Sequence, residues 1–146
     1  TAMIHDIYAE YAPQAEAKGL RFNLDLSPKL GYVSASRLYL KELIQNFVTN
    51  AIKYTKEGNV TIIATRTGNS IQFSVKDTGI GISKSDQAHI FEKFWRSEDY
   101  RTRETGGTGL GLYVTAKLAK KLGTTIKMTS RLNHGSTFSF TLNANS

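Results

Sequence analysis

NFVTNAIKYT, residues Asn46–Thr55, sets two carboxamides four residues apart in a stretch that otherwise has the pattern of a buried helix. Wound at roughly 100° per residue, Leu40, Leu43, Ile44, Phe47, Val48, Ala51 and Ile52 fall on one broad apolar face. Glu42, Asn46, Asn50 and Lys53 form a polar stripe beside it. A stripe that is only solvated favours Glu, Lys, Gln or Arg, and each Asn costs up to ~0.7 kcal/mol relative to Ala in a helix. Two of them at i,i+4 ask for a reason beyond solubility. A carboxamide oxygen is a hard, neutral ligand suited to Mg²⁺ beside phosphate oxygens and water. Lys53 adds a point charge for the same phosphates.

The rest of the fold reads outward from this helix, which spans 37–54 with Ser36 as N-cap and Lys-Glu-Gly at 56–58 as its stop. Before it, residues 3–18 are helical in pattern, with Ile4, Ile7, Tyr8 and Tyr11 on one face and Gly19 as terminator. Pro13 is expected to kink that helix or to make it restart late. Leu20, Phe22, Leu24 and Leu26 alternate with polar residues, as in a half-buried strand. After it come strands 60–67 and 70–77, joined by Gly68-Asn69 in a hairpin. A short helix is expected around 84–91 and a second amphipathic helix over 109–122. Strands 124–130 and 136–142 then close a hairpin at Asn133-His134-Gly135. Strands in hairpins exclude strict βαβ repetition. The class is α+β: a two-layer sandwich, its sheet mixed and mainly antiparallel, with helices over one face.

Two glycine clusters follow the strand and precede the last helix. Asp77-Thr78-Gly79-Ile80-Gly81-Ile82 lets the backbone turn sharply and approach a ligand closely. It lacks the third glycine of a dinucleotide-binding fingerprint. Asp77, a carboxylate at a strand end beside Ile80 and Ile82, is suited to accept the exocyclic amine of adenine; guanine offers a carbonyl at that edge. Gly106-Gly107-Thr108-Gly109-Leu110-Gly111-Leu112 runs into a helix, where glycine amides make a natural phosphate site. Leu112 and Tyr113 stand where a Walker A loop requires Lys and Ser/Thr. The polar stretch before it, with Arg96, Arg101 and Arg103, reads as a lid whose cations reach a polyphosphate.

Composition narrows the setting. The 146 residues, 40% hydrophobic and 21% charged, suit one globular domain. No apolar run reaches the ~18 residues that cross a membrane, and no signal-peptide pattern opens the chain. The start at Thr1 reads as a fragment of something longer. Without cysteine, disulfides and thiolate metal sites are excluded. The net charge of +7 admits nucleic acid, anionic lipid or a phosphate-bearing ligand. No Lys/Arg block or aromatic-studded basic strand supports a nucleic-acid partner.

In this order the pieces resemble the catalytic, ATP-binding domain of bacterial sensor histidine kinases, the Bergerat ATP-binding fold. NFVTNAIKYT resembles the N box, DTGIGI the first glycine box, IFEKFWR (90–96) the F box and GGTGLGL the second glycine box. The resemblance implies Asn50 as Mg²⁺ ligand, Asn46 beside the phosphates, and Lys53 and Tyr54 lining the nucleotide. It implies Asp77 as reader of adenine in a turn shaped by Gly79, Gly81 and Ile82. Phe91 and Phe94 would brace the lid, though core packing explains each phenylalanine equally well. Arg96 would contact phosphate. Gly107, Thr108, Gly109, Leu110, Gly111 and Leu112 would wrap the triphosphate. Asn46, Lys53 and Arg96 are the candidates for a catalytic part. Ser34 stands where these domains often carry Asp.

ATPases on this fold, among them type II topoisomerases and mismatch-repair proteins, carry Glu four residues before the Mg²⁺ asparagine to activate water. Asn46 occupies that position, and an amide is no base at neutral pH. This suits an enzyme that keeps ATP from water and gives its γ-phosphoryl group to a histidine elsewhere. The expected cofactors are ATP and Mg²⁺. The expected partners are a dimerisation and phosphoacceptor domain absent from residues 1–146 and, indirectly, a response regulator. His5, His89 and His134 are poor acceptors: no Arg-Thr-Pro-like continuation follows His5-Asp6, His89 reads as a surface residue and His134 sits in a turn. The fragment is expected to be a monomeric cytoplasmic domain, its parent a homodimer at the bacterial cell membrane.

Overall fold

Alternation and periodicity along the chain become two layers, a sheet and the helices that cover it. The computed structural model describes residues 1–89, 91 and 111–145, with backbone alone for Gly111, Leu112 and Asn145. The elements are α1 (Ala2–Ala17), β1 (Arg21–Leu26), β2 (Tyr32–Val33), α2 (Arg37–Tyr54), β3 (Asn59–Thr67), β4 (Ser70–Asp77), α3 (Lys84–Gln87), α4 (Gly111–Lys121), β5 (Lys127–Arg131) and β6 (Gly135–Asn145). The sheet runs β1-β3-β4-β6-β2, and β5 also pairs with β6. β1 and β3 are parallel because α2 crosses over between them; the other pairings are antiparallel. The α+β, mixed and mainly antiparallel reading holds.

Register assembles the core. Ile62 faces Val75 and Ala64 faces Phe73 across β3 and β4. Ile71, Phe73 and Val75 face Leu142, Phe140 and Phe138 across β4 and β6. The Phe73 and Phe140 rings stack at 5.1 Å, and Phe47 of α2 sits 5.7 and 5.9 Å from Phe138 and Phe140. The seven apolar residues of the α2 face are all buried. Gln72, Lys76, Thr129 and Thr141 alternate with core positions and are exposed, so the helices cover one face only.

Four local readings change. Pro13 lies inside a helix that already starts at Ala2. Pro13 and Ala9, four residues earlier, are both exposed, so the carbonyl that loses its donor can turn to water. β5 begins at Lys127 rather than 124 because Thr124 closes α4: its N–H donates to Ala119 O at 3.0 Å. β6 extends to Asn145 and recruits β2, a two-residue strand too short to signal itself by alternation. α3 spans Lys84–Gln87, shorter than the helix expected around 84–91. No helix among the described residues is long and apolar enough to cross a membrane.

α2 ends at Tyr54, with Thr55 already extended, so its last carbonyls need donors from elsewhere. Lys18, just past α1, supplies them: Nζ donates to Ile52 O at 2.6 Å and to Lys53 O at 3.3 Å. This ties the end of α1 to the end of α2 that carries Lys53 and Tyr54. Lys18→Ala should cost about 1 kcal/mol of unfolding free energy in urea. No change would mean water replaces the ammonium without loss.

Candidate functional site

Asn46, Asn50, Lys53 and Tyr54 are all half-buried, where the apolar face of α2 meets its exposed side. Among the described residues neither carboxamide has a hydrogen-bond partner. The Lys53 ammonium lies 5.5 Å from the centre of the Tyr54 ring. Glu42 is exposed and two turns from Asn50, about 12 Å along the axis. The described residues hold no cluster of three His, Asp or Glu that would bind a metal by itself. Neutral carboxamides fit Mg²⁺ only as part of a set completed by phosphate oxygens and water.

Asp77 owes its place to alternation. Ile71, Phe73, Val75 and Asp77 point to the same face of β4, so the strand delivers a carboxylate to the end of the core. It is 8% exposed. Oδ1 accepts from the Gly79 N–H at 2.9 Å and the Ser136 N–H at 3.3 Å. Both bonds fall on Oδ1, which leaves Oδ2 as an acceptor for a ligand. Burial pushes the carboxyl up to about 6 from 3.8, against the pull of those two N–H groups.

The turn after Asp77 is docked on both sides. The Ile80 N–H donates to Tyr54 O at 3.3 Å, and the Asn133 N–H donates to Ile80 O at 2.6 Å. Gly79 lies so close to Tyr54 O and Thr55 Oγ1 that any Cβ would collide with them. Gly81 has a φ of +70° and sits against Arg131 O. The end of α2, the end of β4 and the β5–β6 turn therefore converge. They bring Tyr54, Asp77, Gly79, Gly81 and the half-buried Ile82 into one place.

α4 approaches the same region. It packs on α2, and its last residue, Lys121, holds its ammonium 5.0 Å from the ring centre of Tyr39, in the first turns of α2. α4 must then run back along α2. Its eleven residues rise about 16 Å, enough to bring Gly111 toward the turns of Asn46 and Asn50. Phe94, Arg96, Gly107, Thr108, Gly109 and Leu110 lie outside the described residues, as do Arg101 and Arg103; of Leu112 only the backbone is described. Phe91 meets Phe138 edge-on at 6.4 Å, a contact with the core. His5, His89 and His134 are exposed.

Two residues at this place escaped the sequence reading. Ser136 is buried and bonds Asp77 through its N–H, and nothing in its neighbourhood signals that pairing. Thr55 is fully buried beside Gly79, and its hydroxyl has no partner among the described residues. Its position at the end of the asparagine motif was the one available signal.

Residues 35–146 match the family described as histidine kinase-, DNA gyrase B-, and HSP90-like ATPase. The aerobic respiration control sensor protein ArcB of Escherichia coli (strain K12) is 36% identical over 147 residues. That alignment covers 99% of this chain and 19% of ArcB. The signal transduction histidine-protein kinase BarA of the same strain is 36% identical over 146 residues, covering 96% of this chain and 16% of BarA. This chain thus spans under a fifth of either relative. The crystal structure of full-length ShkA in complex with AMPPNP superimposes with a TM-score of 0.85 at 29% identity, over 99% of this chain and 30% of ShkA. The catalytic domain of the histidine kinase ThkA, nucleotide-free, shares the fold with a TM-score of 0.83 at 24% identity, over 99% of this chain and 94% of ThkA's.

Burial of Asp77 has a stability consequence. Its folded-state value lies above the ordinary one, so the fold favours the neutral acid. That contribution is complete below about 3.8 and is lost as pH rises through about 6, so at pH 7.5 the ionised group opposes folding. The gap corresponds to at most about 3 kcal/mol. Asp77→Asn keeps an acceptor for Gly79 and Ser136. It should raise the thermal midpoint of the ligand-free domain by several degrees, on the order of 5 °C, at pH 7.5 and change it little at pH 4. A lower midpoint at pH 7.5 would show that the carboxylate is worth more to the fold charged than neutral.

Proposed function

The chain belongs to the histidine kinase-, DNA gyrase B- and HSP90-like ATPase family, and from that premise we propose that residues 1–146 are the ATP-binding catalytic domain of a sensor histidine kinase. The domain holds ATP and presents its γ-phosphoryl group to a histidine on a separate dimerisation domain. One observation carries the reading: the buried Asp77 carboxylate converges with the end of α2 while Asn46, not a carboxylate, stands four residues before Asn50. Relatives named as a respiration control sensor protein and as a signal transduction histidine-protein kinase support it.

In this reading the Asp77 carboxylate accepts the exocyclic amine of adenine, and Gly79, Gly81 and Ile82 shape the wall beside it. The charged acceptor strengthens that hydrogen bond, and the apolar turn keeps water from competing for it. Tyr54 lies along the nucleotide and Lys53 offers its ammonium to the phosphates. Asn50, with Asn46 beside it, would hold Mg²⁺, which when bound neutralises charge on the phosphate oxygens. Asn46 has no basicity with which to activate water, so ATP persists until an acceptor arrives. Gly107 to Leu112 and Arg96 complete the phosphate site. The parent would be a membrane-associated homodimer whose phosphohistidine then supplies a response regulator.

Calorimetric titration with AMPPNP tests this. The wild type should bind with Mg²⁺ and more weakly without it. Asp77→Ala should weaken binding at least ~tenfold, the scale of one charge-assisted hydrogen bond. Asn50→Ala should abolish the Mg²⁺ dependence. With ATP, the domain should label an acceptor domain added in trans and show little hydrolysis by itself. Steady hydrolysis lost in Asn50→Ala would instead make the domain a hydrolysing ATPase.

A further inference from the structure

Three strands end in one row on the core face. Asp77 of β4 pairs with Ser136 of β6, and Ser136 pairs with Ser130 of β5. The chain leaving Asp77 arches over the end of β6 and comes down on β5, where the Ile82 N–H donates to Ser130 Oγ at 2.8 Å. The arch thus has two feet, Asp77 and Ile82, about two strand spacings or ~10 Å apart. Hydrogen bonds hold both. Ser130 Oγ lies 3.0 Å from Gly135 O and 2.8 Å from Ser136 Oγ, so its one proton is used there while it accepts from Ile82. The next peptide group, which carries the Ile82 carbonyl, is held as well. Gln87 Nε2 of α3 donates to Ile82 O at 2.8 Å and to Ser130 O at 3.1 Å.

A serine near a hairpin turn ordinarily does no more than satisfy its own turn. Ser130 differs in that its acceptor bond is spent on a residue 48 positions away in sequence. Ser130 and Gln87 are both half-buried, and together they hold the N–H and the C=O of Ile82, one in each of the two peptide groups that flank its Cα. Holding both groups restrains the two backbone dihedrals between them. A loose Ile82 would let the arch widen and would cost binding energy each time a ligand had to order it.

We infer that Ser130 and Gln87 are positioning residues for the nucleotide base: by holding the backbone on both sides of the Ile82 Cα they set the width of the arch between Asp77 and Ile82. The inference rests on the nucleotide reading above. Neither side chain needs to touch the ligand.

The test compares wild type, Ser130→Ala, Ser130→Thr and Gln87→Met. Three quantities are measured: AMPPNP binding with Mg²⁺ by calorimetry, the thermal midpoint without nucleotide, and hydrogen exchange at the Ile82 amide. Ser130→Ala should weaken AMPPNP binding about tenfold, with exchange at Ile82 about tenfold faster and the midpoint within about 3 °C of wild type. Ser130→Thr, which keeps the hydroxyl, should bind within about twofold of wild type. Gln87→Met lies on a separate element and should weaken binding in the same direction, which keeps the inference open to refutation if Ser130→Ala does not fold. Binding by Ser130→Ala and Gln87→Met within twofold of a wild type that does bind would overturn the inference and leave the nucleotide reading standing. Losses that Ser130→Thr shares in full would also overturn it, since packing rather than the hydroxyl would then be responsible. Failure of the wild type to bind overturns the nucleotide reading and this inference with it.

Discussion

β6 pairs along both edges at once, and the site depends on that constraint. Over Ser136–Ser139 it bonds to β4 on one side and to β5 on the other. A slip of one residue in either ladder would turn every side chain of the slipped strand to the opposite face. Asp77 would then leave the core, and Ser130 would leave Ile82. The phenylalanines hold the register against such a slip. Phe73, Phe138 and Phe140 gather around Phe47 of α2, and this aromatic cluster fits only when those strands present the same face. The residues that make the core are therefore the ones that align the site.

Under the proposed function, the same arrangement puts stability and binding in opposition at Asp77. A carboxylate on the core face costs free energy when ionised, as its raised value shows. A solvent-exposed acid would avoid that cost but would offer a ligand amine no advantage over water. The surrounding backbone moderates the penalty without removing it, since the N–H groups of Gly79 and Ser136 both point at Oδ1. Among the described residues Thr55, buried against the same turn, has a hydroxyl with no partner, a departure from the rule that interiors satisfy their polar atoms. The buried carboxylate and this hydroxyl both lie where α2 meets the arch, outside the aromatic core.

α2 joins the two halves of the site. Its apolar face is buried against the sheet and the neighbouring helices α1 and α4, which leaves the adjoining stripe of Asn46, Asn50 and Lys53 in a fixed orientation. Its end is pinned twice, by Lys18 on the carbonyls of Ile52 and Lys53 and by the Ile80 N–H on Tyr54 O. A polar stripe on a helix anchored in this way can hold ligand groups at fixed separations, which the same residues on a loop could not do.

Much of this was legible in the chain. Periodicity identified α2 to its first and last residue, because eighteen residues with one unbroken apolar face leave little ambiguity. Gly68-Asn69 located its hairpin, and the asparagine pair and the first glycine cluster pointed to the candidate site through the chemistry they carry, while the second cluster lies almost wholly outside the described residues. Other features arise between distant residues and have no local signature. β2 is two residues long, and Thr124 closes α4 before β5 can begin. The partners of Asp77 and Ile82, Ser136 and Ser130, lie 59 and 48 positions further along. The sequence by itself determined most of the elements and which side chains are candidates for the chemistry, since propensity and alternation act over a few residues. Only the tertiary structure decided the burial of Asp77, the arch over β6 and its support by Ser130 and Gln87, because strand register is a property of paired segments and not of either segment alone.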